Sequence, residues 1–186
     1  MIISISGTAG SGKSTVAKMV AEKLNFESVY IGGIRREMAR KRSMTLAEYN
    51  EYGETHPETD MEADNYQAEL GKTKDNFVIQ GRVSYHFIPH SVKVFLDVEL
   101  DEGARRIWQD MQENPDERNE AKVSSQEELK QSLIERQESD NTRYQKYYNL
   151  SCYNKENYDI VIDTTHMTPE EVATTIVDHP LIKHSK

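Results

Sequence analysis

The chain opens on an apolar run, Met1-Ile2-Ile3-Ser4-Ile5-Ser6, whose length and β-branched content predict a strand. Val16, Ala17, Met19, Val20 and Leu24 then recur at helical spacing, a stripe that predicts a helix packed on a sheet. The chain turns at Asn25, and Ser28-Val29-Tyr30-Ile31 predicts a second strand running into Gly32-Gly33. Strand, helix and strand within about thirty residues form a βαβ unit, the building block of a parallel sheet.

From Ile34 to Arg42 the pattern turns basic (Arg35, Arg36, Arg40, Lys41, Arg42). From Thr45 to Leu70 it is polar and helical, broken at Gly53 and Pro57, which predicts a helical excursion able to close over a ligand. Phe77-Val78-Ile79-Gln80 predicts a strand leading to Gly81-Arg82, and the near-continuous apolar run Val92 to Val98 suits a central parallel strand. A helix is expected from near Asp101, carrying Arg105 and Arg106. The stretch Gln112 to Glu120 is polar and aperiodic, which fits a lid or a plain solvated loop. A long helix from about Gln126 to Tyr148 and a strand at Asp159-Ile160-Val161-Ile162-Asp163 follow. A last helix opens at Thr168-Pro169-Glu170-Glu171, with Thr168 as N-cap, Pro169 at the first helical position and Glu171 closing a capping box.

The turn between the first strand and helix carries chemistry. Gly7-Thr8-Ala9-Gly10-Ser11-Gly12-Lys13-Ser14 fits G-x-x-x-x-G-K-[ST] without a mismatch, with a strand before it and a helix after it. Such a loop wraps backbone N–H groups round a polyphosphate, and the helix N-terminus, with Thr15 in its first turn, adds a favourable dipole. Lys13 reaches the outer phosphates and the Ser14 hydroxyl can bind Mg²⁺. A polyphosphate with Mg²⁺ is the expected ligand.

Positions 129, 133, 136, 140, 143 and 147 of the long helix share one face and read Leu129, Leu133, Arg136, Asp140, Arg143 and Tyr147. The apolar stripe turns charged midway, so the charges either form exposed ion pairs or line a cleft. Arg36, Arg82, Arg105 and Arg106 each follow a predicted strand, on the edge of an open α/β sheet where ligands bind. Guanidinium groups suit phosphate through paired contacts.

A chain of 186 residues has room for one well-buried domain. Its formal net charge of −9 disfavours a non-specific nucleic-acid or anionic-membrane binder, so an anionic substrate must be held by a local arginine cluster. The single cysteine, Cys152, reads as a packing residue in a reducing compartment. No leader and no spanning apolar run are apparent, and a soluble cytoplasmic monomer is expected. Tyr144, Tyr147, Tyr148, Tyr153 and Tyr158 read as packing, Trp108 fits packing or base stacking, and His86, His90 and His166 read as surface or turn positions without metal-ligand spacing. Asp60 and Asp64 share a helical face and read as solvated carboxylates.

The sequence resembles the nucleoside monophosphate kinases, and within them the short archaeal cytidylate kinases, over nearly its whole length. The resemblance rests on Gly7 to Ser14, Ile31-Gly32-Gly33-Ile34-Arg35-Arg36, which reads as a turn, and Met44-Thr45-Leu46-Ala47-Glu48-Tyr49-Asn50. It continues through Gly81-Arg82, Ala104-Arg105-Arg106-Ile107, Arg136 with Asp140 and Arg143, and Ile162-Asp163-Thr164-Thr165 to Pro169-Glu170-Glu171. It implies a three-layer α/β/α P-loop NTPase fold in one domain, 1–186. About five parallel strands would carry a helical insertion for the nucleoside monophosphate at about 33–72 and a lid at about 109–125. It further implies that Arg36 and Arg82 contact the acceptor phosphate, that Arg136 and Asp140 help hold the acceptor, and that Arg143, with Arg105 or Arg106, faces the transferred phosphoryl group. The implied reaction takes ATP and CMP or dCMP to ADP and CDP or dCDP. Two alternatives stay open: another acceptor (AMP, UMP or a small metabolite), or an ATP-binding switch or assembly factor.

Overall fold

The computed structural model describes residues 1–113 and 123–183. Five strands, β1 (Ile2–Gly7), β2 (Glu27–Tyr30), β3 (Phe77–Gln80), β4 (Val92–Asp97) and β5 (Ile160–Asp163), form one parallel sheet in the order β2-β3-β1-β4-β5. Burial follows that order. Central β1 and β3 are buried throughout, whereas edge strand β5 alternates buried and exposed positions.

Ile3, Ile5, Val78, Val94, Leu96 and Ile162 face one side of the sheet. There they pack against α1 (Lys13–Leu24), whose buried stripe is Val16, Ala17, Val20, Ala21 and Leu24, and against α8 (Pro169–Asp178) and α9 (Pro180–Lys183). On the other side Ile2, Phe77 and Ile79 meet α4 (Glu58–Thr73), and Phe95 meets α5 (Ser84–Phe87) and α7 (Gln126–Tyr148). The three-layer expectation holds. The capping box at Thr168 forms as expected, with Glu171 bonded back to the Thr168 N–H at 2.8 Å.

Between β2 and β3 the chain builds α2 (Ile31–Lys41), α3 (Leu46–Gly53) and α4, with breaks beside Gly53 and Pro57 as expected. Gly32 and Gly33 are a correction: they lie inside α2 and not in a turn. The Tyr30 ring covers both, and a Cβ on Gly32 would sit 2.6 Å from the Tyr30 ring. Burial of Ile31, Met38 and Ala39 supplies what the uncapped start lacks.

After β4, α6 (Leu100–Glu113) packs Ala104 and Ile107 on Leu129 and Leu133 of α7. The expected lid falls largely on 114–122, outside the described residues. Among the described residues no helix is long and apolar enough to cross a membrane.

Candidate active site

The carboxyl ends of β1, β3, β4 and β5 lie on one edge of the sheet, and the glycine-rich loop leaves β1 there. Gly10 (φ +80) and Gly12 (φ +81) take left-handed backbone, and Gly12 stands at the N-cap of α1 without a side-chain cap or an acidic residue in the first turn. Three other helices are built differently: α3, α7 and α8 carry Thr or Ser caps and acidic first turns. The amide groups at the start of α1 are therefore left to a ligand, and the helix dipole favours an anion there.

Lys13 arches back over the loop, its Nζ donating to the Thr8 carbonyl and lying 3.4 Å from Ser11 Oγ. The Ser14 hydroxyl donates to Gln80 Oε1 at 3.2 Å. Thr8 Oγ1 donates to Asp97 Oδ1 and accepts from the Val98 N–H, so the exit of β4 braces the loop. Ala9 and Gly10 press on α6: a Cβ on Gly10 would lie 2.4 Å from the Gly103 carbonyl oxygen, and one on Gly103 would lie 2.7 Å from that of Ala9. Thr15 is exposed on the first turn of α1. Among the described residues no group of three or more His, Cys, Asp or Glu could hold a metal. A hydroxyl at the loop's end fits Mg²⁺, which takes few protein ligands when phosphates and water supply the rest.

Beside the loop, toward β3, lies a buried ionic cluster. Asp140 is 2% and Arg143 1% exposed, and their side chains pair across one turn of α7. Arg82, just past β3, places Nε 2.7 Å from Asp140 Oδ2 and donates from a terminal nitrogen to the Gly7 carbonyl at 3.1 Å. Tyr153 OH donates to Asp140 at 3.1 Å. Burial pushes the Asp140 carboxyl up, but the guanidinium groups of Arg82, Arg143, Arg136 and Arg35 outweigh it and hold the group well below the usual carboxylate range. Four guanidinium groups thus act on one carboxylate next to a phosphate-binding loop. Asp140 and Arg143 are thus buried in a cluster and are not surface ion pairs.

Arg35 is the member that sequence reading missed. Its Nε donates to Asn50 Oδ1 at 2.9 Å, and it reaches the Thr59 carbonyl at 3.3 Å. Ile31, Arg35 and Met38 run in steps of four and three, so the buried stripe of α2 passes through Arg35 and could have found it. Arg36, expected on the acceptor phosphate, stacks 5.7 Å from the Tyr30 ring centre and donates to its hydroxyl. Arg105 is 54% exposed and pairs with Glu102. Arg106 also bonds Glu102 and donates to the Thr164 and Thr165 carbonyls at 2.8 and 3.0 Å, on the β5 side of the loop. Arg82, Arg136 and Arg143 thus gather round Asp140, whereas Arg105 and Arg106 bond to Glu102.

Asp64 is a second correction. It is 4% exposed, bonded by Tyr148 OH at 2.7 Å and by Gln67 Nε2 at 3.1 Å, and not solvated. The Asp60 side chain lies outside the described residues. Cys152 is buried and its thiol is pushed up to about 12 by burial, which suits packing and not nucleophilic chemistry. His86, His90 and His166 are exposed.

The parallel sheet, the glycine-rich loop and the arginine cluster beside it define a P-loop kinase. Residues 2–166 match the cytidylate kinase-like family, and the chain belongs to it. It is similar to the cytidylate kinase of Methanobrevibacter smithii, 34% identical over 177 residues that cover 95% of this chain and 96% of that protein. It is also 36% identical over 178 residues to an S-adenosylmethionine-dependent nucleotide dehydratase of Lacinutrix mariniflava, covering 95% of this chain and 35% of that longer protein. In fold it resembles the shikimate kinase of Bacteroides thetaiotaomicron, with a TM-score of 0.64 at 17% identity over 96% of this chain and 97% of that one. Its enzyme class is that of the nucleoside monophosphate kinases.

Proposed function

We propose that the protein transfers the terminal phosphoryl group of ATP to CMP or dCMP, giving ADP and CDP or dCDP. The observation that carries this reading is the cluster of Arg35, Arg82, Arg136 and Arg143 round the carboxylate of Asp140, beside the loop that would hold ATP. Guanidinium groups gathered beside the loop suit a phosphate through paired contacts, and a nucleoside monophosphate is the acceptor the family relationship favours.

In this reading the loop amides and Lys13 hold the β- and γ-phosphates of ATP, and Lys13 leaves the Thr8 carbonyl to do so. Ser14 holds Mg²⁺, with Gln80 orienting its hydroxyl. When bound, the metal neutralises charge between those phosphates. Arg82 and Arg143 hold the acceptor phosphate in line with the γ-phosphate, and Asp140 fixes both guanidinium planes. No side chain becomes covalently bonded; the rate comes from positioning and from charge placed where it develops. Arg106, beside the β5 loop, borders the donor nucleotide. The insertion α2–α4 and the segment about 109–125 serve as the acceptor-side cover and the lid, in a cytoplasmic, monomeric enzyme that engages neither nucleic acid nor membrane.

The test is ADP release with Mg-ATP against CMP, dCMP, UMP, AMP and GMP. CMP or dCMP should raise turnover at least ~100-fold above basal ATP hydrolysis. A rate that no monophosphate raises would leave the protein an ATP-binding switch.

A further inference from the structure

Asp64 and Gln67 lie one turn apart on α4, both buried, and neither has a part in the phosphate chemistry above. Gln67 donates from its amide nitrogen to Asp64 Oδ1 at 3.1 Å. Its amide oxygen then accepts from Ser84 Oγ at 2.6 Å. Ser84 sits two residues past Arg82, and a Cβ on Gly81 would collide with Ser84 Oγ. The relay thus lies directly against the Gly81-Arg82 pair. Its far end is Tyr148 OH on Asp64 Oδ2, on the same helix as Asp140. Eight residues of α7 separate Asp140 from Tyr148, about 12 Å of helix, which is a span suited to a nucleoside monophosphate laid from its phosphate to its base.

Resting on the acceptor assignment made above, we propose that Asp64 and Gln67 read the edge of the acceptor base. Asp64 accepts from an exocyclic amino group, taking the place now held by the Tyr148 hydroxyl, while the second N–H of Gln67 donates to the unprotonated ring nitrogen beside it. Cytosine and adenine present that amino-then-acceptor order. Uracil and guanine present a carbonyl oxygen and a ring N–H, the reverse at both positions, so each would set a carbonyl oxygen against a carboxylate. The relay therefore selects amino bases over oxo bases within each ring size.

The experiment compares kcat/KM for CMP with UMP, and for AMP with GMP, in the wild-type chain, in Asp64→Asn and in Gln67→Met. The wild type is expected to favour CMP over UMP by ~100-fold or more. In Asp64→Asn the introduced amide can turn its nitrogen toward the base, so the CMP-to-UMP ratio should fall at least ~10-fold, with the KM for ATP unchanged. Gln67→Met keeps the volume and removes the donor, and should lower the ratio in the same direction. Equal losses on CMP and UMP, or a wild type that takes both alike, would overturn the base-reading role while leaving the kinase assignment standing. A wild type inactive on every monophosphate would remove both.

Discussion

At the scale of single residues, Asp140 decides the most. It is the carboxylate that a cluster of guanidinium groups surrounds, and removing its charge takes away the ion pairs of Arg82 and Arg143. Asp140→Asn should lose about 3–5 kcal/mol of stability at pH 7, measured by urea unfolding. Because the folded carboxyl is held below its unfolded value, that advantage is fully present above about pH 4 and shrinks as pH falls further. Equal stability of the two chains at neutral pH would contradict the cluster's reading. The Arg-x-x-x-Asp-x-x-Arg spacing on α7 made Asp140, Arg136 and Arg143 legible in the sequence. Arg35 was legible only once α2 is read as a helix, because the Ile31–Arg35–Met38 stripe appears in that frame and the two glycines hid it; the contacts with Asn50 and the Thr59 carbonyl then hold Arg35 inward. Asp64 was misread as solvated because a lone carboxylate in a polar helix carries no sign of the Tyr148 hydroxyl that meets it from a distant part of the chain.

Among the elements, the glycine-rich loop and α6 are bound more closely than periodicity indicates. Backbone meets backbone where Ala9 and Gly10 approach Gly103, so the first turn of α6 is the wall that shapes the loop. Gly103 is an ordinary helical position by pattern, and nothing in sequence spacing marks it. Gly103→Ala forces a methyl against the Ala9 carbonyl and should raise the KM for ATP by ~10-fold or more, with the KM for the acceptor little changed. An unaltered KM for ATP would show that the loop tolerates a shift of α6. The strands and the long α7 were readable from runs and stripes, within a residue at most ends. The start of α2 was hidden by two consecutive glycines and by the lack of an N-cap, since its formation depends on apolar burial beneath it.

For the whole molecule, the strand order brings parts of the chain far apart in sequence to one edge. Arg35 comes from α2, Arg82 from the end of β3, and Arg136 and Arg143 from α7. A net charge of −9 is thereby compatible with a strongly cationic acceptor site. The charge balance alone required such a cluster for an anionic substrate; the α7 spacing showed part of it, and the meeting of α2, the end of β3 and α7 depended on sheet topology. In the proposed function that edge joins a donor loop to an acceptor site, and the joint activity can be read directly. ATP labelled in its γ-phosphate, incubated with the protein, Mg²⁺ and CMP, should deliver the label to CDP in step with ADP formation. Label recovered only as inorganic phosphate, with or without CMP, would contradict the account.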